Sequence, residues 1–276
     1  MATAQTLGSC HIKRMMRMAN YWGNRVAKAQ AKATAQSIKE TEKILRKYYA
    51  SSAEKVLGQF EATYQHLLSS IEKGREPTPA DLYKLDKYWQ LQGQLRQELM
   101  KLGEKQVVSL TKQFEINFFE VYYSFSLPSQ DTFATLDKSM AHQMINSIWC
   151  ADGKSWSSRI WGNINTLQSR LNENLIDCVI SGKKTTELKH ILQEQFDVSF
   201  GRADALVRTE MAHIQTQAAQ KRYEDYGIQE VEVFVDEDER TCPICSKYEG
   251  KRYPVGAQYP VPLHPRCRCC MIPVID

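Results

Sequence analysis

Two short motifs late in the chain restrict its fold more than anything else in it. Cys242-Pro243-Ile244-Cys245 is a C-x2-C knuckle and His264-Pro265-Arg266-Cys267 an H-x2-C knuckle, with eighteen residues between them. Two ligands spaced in this way turn inward from one tight loop, and thiolate and imidazole are donors that zinc accepts in a tetrahedron. The pattern is close to a zinc ribbon in which one Cys is replaced by His. The segment is small and rich in Gly and Pro, so a bound ion would supply the core it lacks. A reduced tail held by packing and an oxidised, disulfide-bonded tail are the competing readings. Five of the eight cysteines fall in this stretch. That crowding favours shared ligation over a single activated Cys–His nucleophile.

The chain ahead of the knuckles reads as helix. From Ile12 to Lys73 there is no proline, the only glycines are Gly23 and Gly58, and Ala, Lys, Gln and Glu dominate. Leu45, Tyr48, Tyr49, Val56, Phe60, Tyr64, Leu67, Leu68 and Ile71 recur at helical spacing, so one or two long helices are expected, anchored by Tyr21-Trp22. Residues 1–11 are expected to be loose. Thr78, Pro79 and Asp81 form a helix start. A second long helix, or a broken pair, should run from Ala80 to about Phe125, with the aromatic run Phe114–Tyr123 as core. Leu127-Pro128-Ser129-Gln130 reads as a hinge. Further helices are expected over 139–150, 156–180, 186–196 and 201–226. In this reading Ser199 caps the last one and Gly182 and Gly227 act as terminators.

Strand chemistry appears only after Gly227. Val231-Glu232-Val233-Phe234-Val235 is β-branched and alternating, and a second strand is expected near Met271–Val274. The fold class is therefore mainly α: long helices followed by a small C-terminal α+β, zinc-ribbon-like subdomain. The expected divisions are 1–127, a long-helix region; 128–227, a helical core; and 228–276, a Cys/His-rich β tail.

The net charge of +4 is small, but residues 1–50 hold ten basic and two acidic side chains, a local charge of +8. A polyanion such as DNA, or an acidic protein face, suits that segment, and a solvated helix face is the plainer alternative. No apolar run approaches the roughly 18–20 residues a membrane helix needs, and Met1–Ser9 does not read as a signal peptide. Folding in a reducing cytoplasm is the expectation, with Cys10, Cys150 and Cys178 as scattered thiols. Gly-rich phosphate loops, nucleophile elbows and H-E-x-x-H are missing from the sequence, so neither an enzyme nor a small-molecule substrate is expected. Arg208-Thr209-Glu210 reads as an ion pair docking its helix against the tail, in preference to catalysis. Asp236–Glu239 reads as a solvated acidic turn. Arg240, Arg252, Arg266 and Arg268 suit phosphates or that turn. His11, His66, His142, His190 and His213 stand alone and are not read as ligands.

Taken together, several runs resemble a known family. They are Leu206-Val207-Arg208-Thr209-Glu210, Gly227 before a strand, Asp238-Glu239-Arg240-Thr241-Cys242-Pro243-Ile244-Cys245, Gly250, and Pro262-Leu263-His264-Pro265-Arg266-Cys267-Arg268-Cys269. They are similar to the head-morphogenesis domain of tailed-phage minor capsid proteins, the phage Mu F-like group. The likeness is specific over about 155–275 and looser over 20–125. It implies a non-enzymatic virion protein, present in few copies inside the procapsid near the portal after assembly in the host cytoplasm. Its implied partners are the portal, and scaffold or major capsid protein, and its implied roles are head assembly, DNA packaging or DNA exit. It carries over Cys242, Cys245, His264 and Cys267 as metal residues, with Cys269 competing for the fourth place and Cys270 outside the pattern. A DNA-binding zinc module is the alternative. An enzyme ranks lower, because no fused transferase or toxin domain is expected after the tail.

Overall fold

The computed structural model describes residues 5–70, 77–126, 136–235 and 242–275, and for residues 5–22 and 24 the backbone without the side chain. The Tyr21-Trp22 anchor, the side chains of Cys10, His11, Lys13, Arg14 and Arg17, Ile71, the hinge at 127–130, the acidic turn at 236–239, Arg240 and Thr241 lie outside that description.

Seven helices and three strands occur among the described residues: α1 Gln5–Ser69, α2 Pro79–Tyr83, α3 Asp86–Tyr123, α4 Lys138–Ile145, α5 Trp156–Ile180, α6 Thr185–Asp225, β1 Glu230–Phe234, α7 Pro243–Ser246, β2 Arg252–Pro254 and β3 Cys270–Pro273. The mainly α reading with a small strand-bearing tail holds.

The differences from expectation have local causes. The first helix starts at Gln5 rather than near Ile12, although Thr6, Gly8, Ser9 and Cys10 have no strong helical preference. The second region takes the broken-pair alternative of the expectation, with Leu85 and Tyr88 amides closing tight turns onto Leu82 and Leu85 carbonyls. The fourth helix stops at Ile145 rather than Cys150. There the Asn146 side-chain amide bonds back to the His142 carbonyl and the Ser147 hydroxyl to the Met144 carbonyl, each at 2.8 Å. The expected break before Gly201 does not exist: α6 is continuous, and Ser199 lies buried inside it. Tyr49 and Asn163 bond its hydroxyl and carbonyl, so tertiary partners replace the capping role. Gly182 and Gly227 do terminate helices, at φ 60° and 69°, each within the pair of backbone bonds that marks a Schellman end.

The chain divides into two compact units. One comprises 1–40, 112–147 and 207–276, the other 41–111 and 148–206. In the second unit the apolar stripes meet as read: Leu45, Tyr49, Val56, Phe60, Tyr64 and Leu67 of α1 and Ile160, Ile164, Leu167, Leu171, Leu175 and Val179 of α5 are buried. The Tyr64 hydroxyl donates to the carbonyls of Cys178 and Lys183, both at 2.8 Å, and so satisfies the C-terminal end of α5. Gly103 permits a close approach of α3 to α5, because a Cβ there would lie 2.5 Å from the Trp161 ring.

The first unit carries the sheet. β1 is central, in the order β2-β1-β3, and pairs antiparallel on both sides, with Val231 opposite Tyr253 and Pro273, and Phe234 opposite Cys270. Phe114, Phe118, Val121 and Tyr122 of the aromatic run are buried as core. β3 sits against α1: Cys270 and Ile272 cluster with Ala27, and a Cβ on Gly23 would fall 2.7 Å from Ile272 Cδ1. A buried polar relay ties three elements. Gln30 Nε2 donates to the Tyr223 hydroxyl at 2.8 Å, and that hydroxyl donates to the Met271 carbonyl at 3.0 Å. Arg222, also buried, donates to the Phe125 carbonyl at 2.9 Å and lies over the Tyr122 and Tyr226 rings.

Gly103→Ala should cost about 1–3 kcal/mol in urea unfolding because the indole must move. Gly93→Ala, where the new methyl meets nothing within 4 Å, should stabilise by about 0.5–1 kcal/mol. Burial pushes His213 from its ordinary 6.5 to about 4. Its folded value is below its unfolded one, so its contribution is complete above the ordinary value and is lost as pH falls through the window between them. It should account for about 2 kcal/mol of lost stability by about pH 5, a loss that His213→Gln removes from the pH profile of unfolding.

Candidate metal centre

The first knuckle folds as one helical turn. Pro243 opens α7, Cys242 is its N-cap, and the Cys242 sulfur accepts the Cys245 backbone N–H at 3.4 Å. The second is a turn closed by the Cys267 N–H onto the His264 carbonyl at 3.1 Å. Pro265 and Arg266 occupy its middle, and Arg266 has φ 61°. Proline followed by a positive φ is the pattern of a type II turn, here with Arg where Gly is usual. The Arg266 N–H donates to the Thr209 hydroxyl of α6 at 3.2 Å. Thus the Arg208-Thr209-Glu210 run meets the tail, with the central hydroxyl accepting from a backbone amide. Glu210 itself is buried.

These turns bring all five expected donors together, as two groups that share Cys245: Cys242, Cys245 and His264, and Cys245, Cys267 and Cys269. His264 Nε2 lies 3.2 Å from the Cys242 sulfur and 3.1 Å from that of Cys245; Cys245 is 3.4 Å from Cys242 and 3.9 Å from Cys267, sulfur to sulfur. A tetrahedral ion with metal–sulfur bonds near 2.3 Å and metal–nitrogen bonds near 2.0 Å requires donor separations of about 3.5–3.8 Å. The observed spacings bracket that range. A second hydrogen bond fixes how the His264 ring is turned, since Nδ1 is 2.8 Å from the Pro265 carbonyl. A carbonyl only accepts, so Nδ1 carries the proton and Nε2 turns its lone pair to the sulfurs, an arrangement usual for a ligating His.

The electrostatics agree. Cys267 is pulled down to about 5, chiefly by the Cys269 thiol and then by backbone N–H groups, while its bond to Cys267 drives Cys269 upward. Burial raises Cys245 to about 12, and the Cys245 backbone N–H lowers Cys242. The Pro265 carbonyl, followed by nearby thiolates, raises His264. Left to itself, the cluster keeps part of its sulfur protonated. A dication would displace those protons and let every ligating thiol ionise. Among the described residues the clustered donors are sulfur and imidazole, a set that suits zinc better than calcium or magnesium.

Several features have no clear signal in the sequence. β2 is one, and Arg252 in it pairs with Glu232 at 3.1 Å. The Thr209 contact is another. Cys270 points into the Ala27 and Ile272 cluster, away from Cys269, as neighbours at the start of a strand do.

A helical protein whose short-stranded tail closes on paired Cys/His corners is the class that this fold and site define. Residues 169–272 match the family model described as phage Mu protein F like protein. That stretch runs from the middle of α5 through both knuckles, and over it the chain is similar to that family. It is also 25% identical over 185 residues to the NAD(+)--arginine ADP-ribosyltransferase EFV of Enterococcus faecalis, an alignment covering 60% of this chain and 38% of that protein's length. No solved structure matches the chain.

Thr209→Val should remove the acceptor for the Arg266 amide and cost about 1 kcal/mol. Hydrogen exchange at Arg266 should then quicken by about fivefold; unchanged exchange would show that the contact does not hold the knuckle.

Proposed function

We propose that the chain acts as a minor head protein of a tailed phage. In this reading it associates with the portal, with scaffold or major capsid protein as further contacts, and supports procapsid assembly, DNA packaging or DNA ejection from inside the capsid. The observation that carries the proposal is the coincidence of the family match with α6 and the Cys/His cluster. Residues 228–276 serve as a foot closed by one zinc ion, held by Cys242, Cys245, His264 and a thiol from Cys267 or Cys269. The ion supplies cross-linking between the two corners and no reaction chemistry.

The role is structural rather than catalytic. The transferase relative bears on this, since its name is an enzyme's, but this chain spans 38% of it. Purified protein incubated with NAD+ and an arginine-bearing acceptor should transfer no ADP-ribose; transfer would replace the structural reading with an enzymatic one.

DNA contact is a second reading. Lys28, Lys32 and Lys39 are exposed on α1 at spacings of four and seven residues, a phosphate-facing arrangement for one helix face. Salt separates the two. Co-purification with the portal from infected cells should survive high salt without a DNA shift, whereas an affinity for DNA that falls steeply with salt would favour phosphate binding.

Metal analysis of protein purified without chelator should find about one zinc per chain, and Cys242→Ser should lower that content. A stably folded tail without metal would remove zinc from the assignment.

A further inference from the structure

An open cavity of about 320 Å³ lies between α3 and α5, lined by Gln92, Asn165, Gln168, Ser169 and Asn172. We propose that it takes a nucleobase, held at its edge by these amides and on its face by Trp89. The site lies within the unit built from 41–111 and 148–206 and uses no residue of the Cys/His cluster.

The lining is chemically uniform. Four carboxamides and one hydroxyl carry no charge, so a phosphate, a carboxylate or a metal ion would enter without a counter-charge from the lining. Asn165, Gln168, Ser169 and Asn172 are three or four residues apart and so share one face of α5. Each carboxamide can donate and accept. In two of them the roles are already divided: Asn172 Oδ1 accepts from the Tyr88 hydroxyl and from Gln92 Nε2, both at 2.8 Å. That leaves the pair with the Asn172 amide N–H groups as donors and the Gln92 carbonyl as acceptor. The edge of a nucleobase is the complement, an acceptor beside a donor, and carboxamide side chains read such edges, as with N7 and the N6 amino group of adenine.

The face is supplied next to the edge. Trp89 stands one turn before Gln92 on α3 and is 57% exposed. Its ring is nevertheless held. The indole N–H donates to the Tyr83 carbonyl at 2.9 Å, and the Tyr83 and Tyr88 rings lie 6.1 and 5.1 Å away, centroid to centroid. Tyr88 is buried and its hydroxyl ends on Asn172, so the indole and the amide pair belong to one framework. A flat ring that is fixed and open to solvent loses little freedom when a ligand arrives. A base stacked on it gains from its π face, and the amides then orient its edge.

The test titrates full-length protein with adenosine and, separately, with a short oligoadenylate, following the side-chain amide signals of Gln92 and Asn172 by NMR. Both probes should move those signals, the nucleoside in the millimolar range. An oligoadenylate that binds more tightly and weakens as salt rises identifies a single strand as the source of the base, and equal affinity per base identifies the free nucleoside. Trp89→Ala should weaken binding roughly 5–100-fold, and Trp89→Phe, which keeps a stacking face, by less. Asn165→Ala, at an exposed position, should weaken it without altering thermal unfolding. Signals that neither probe moves, or affinity unchanged in Trp89→Ala, would overturn the proposal. So would an acetylated diglycine amide that binds as tightly as adenosine, because the amides would then be reading a peptide group.

Discussion

The tail cannot bury a core of its own. Its strands hold five, three and four residues, and its one helix is a single turn. A segment this short needs further packing or a bound ion to hold its fold. The tail draws apolar contact from α1, where Ala27 meets Cys270 and Ile272. It draws polar contact from α6, where the Tyr223 hydroxyl reaches Met271 and the Thr209 hydroxyl reaches Arg266. On its remaining side, sulfur and imidazole stand where a larger domain would place aliphatic side chains. The tail's own buried side chains, Val231, Val233, Val261 and Met271 among them, add to what the helices supply, and in the zinc reading the cluster would add a cross-link.

Much of the helical body is legible in the sequence because its signals are local and repeated. The stripe from Leu45 to Leu67 and that from Ile160 to Val179 each place an apolar side chain at every turn. The Gly182 and Gly227 ends rest on one residue able to take a positive φ. Ser199 misleads because capping propensity is weak against tertiary partners: Tyr49 and Asn163 are 150 and 36 residues away and leave no trace nearby. The knuckles are legible as spacing alone. Their relation to α6 is not, since the Thr209 contact bridges 57 residues and uses a hydroxyl indistinguishable in sequence from any other on a helix.

The two adjacent cysteines at the start of β3 show how one residue of offset separates two roles. Cys269 faces sulfur and Cys270 faces methyl groups, because successive side chains of an extended chain point to opposite sides. Composition makes them identical, and only the register of β3 against β1, with Cys270 opposite Phe234, tells them apart.

The unit that bears the sheet is assembled from three separate stretches, 1–40, 112–147 and 207–276. On a ribosome the first of these emerges long before the last. The other unit, from 41–111 and 148–206, has all its parts available sooner. Folding during synthesis thus has an order imposed by the covalent chain: the early segment of α1 can meet 112–147 first, and its remaining native neighbours come only with the end of α6 and the tail. Lys28, Lys32 and Lys39, exposed on that segment, give it the kind of charged surface that favours solubility while the chain is incomplete.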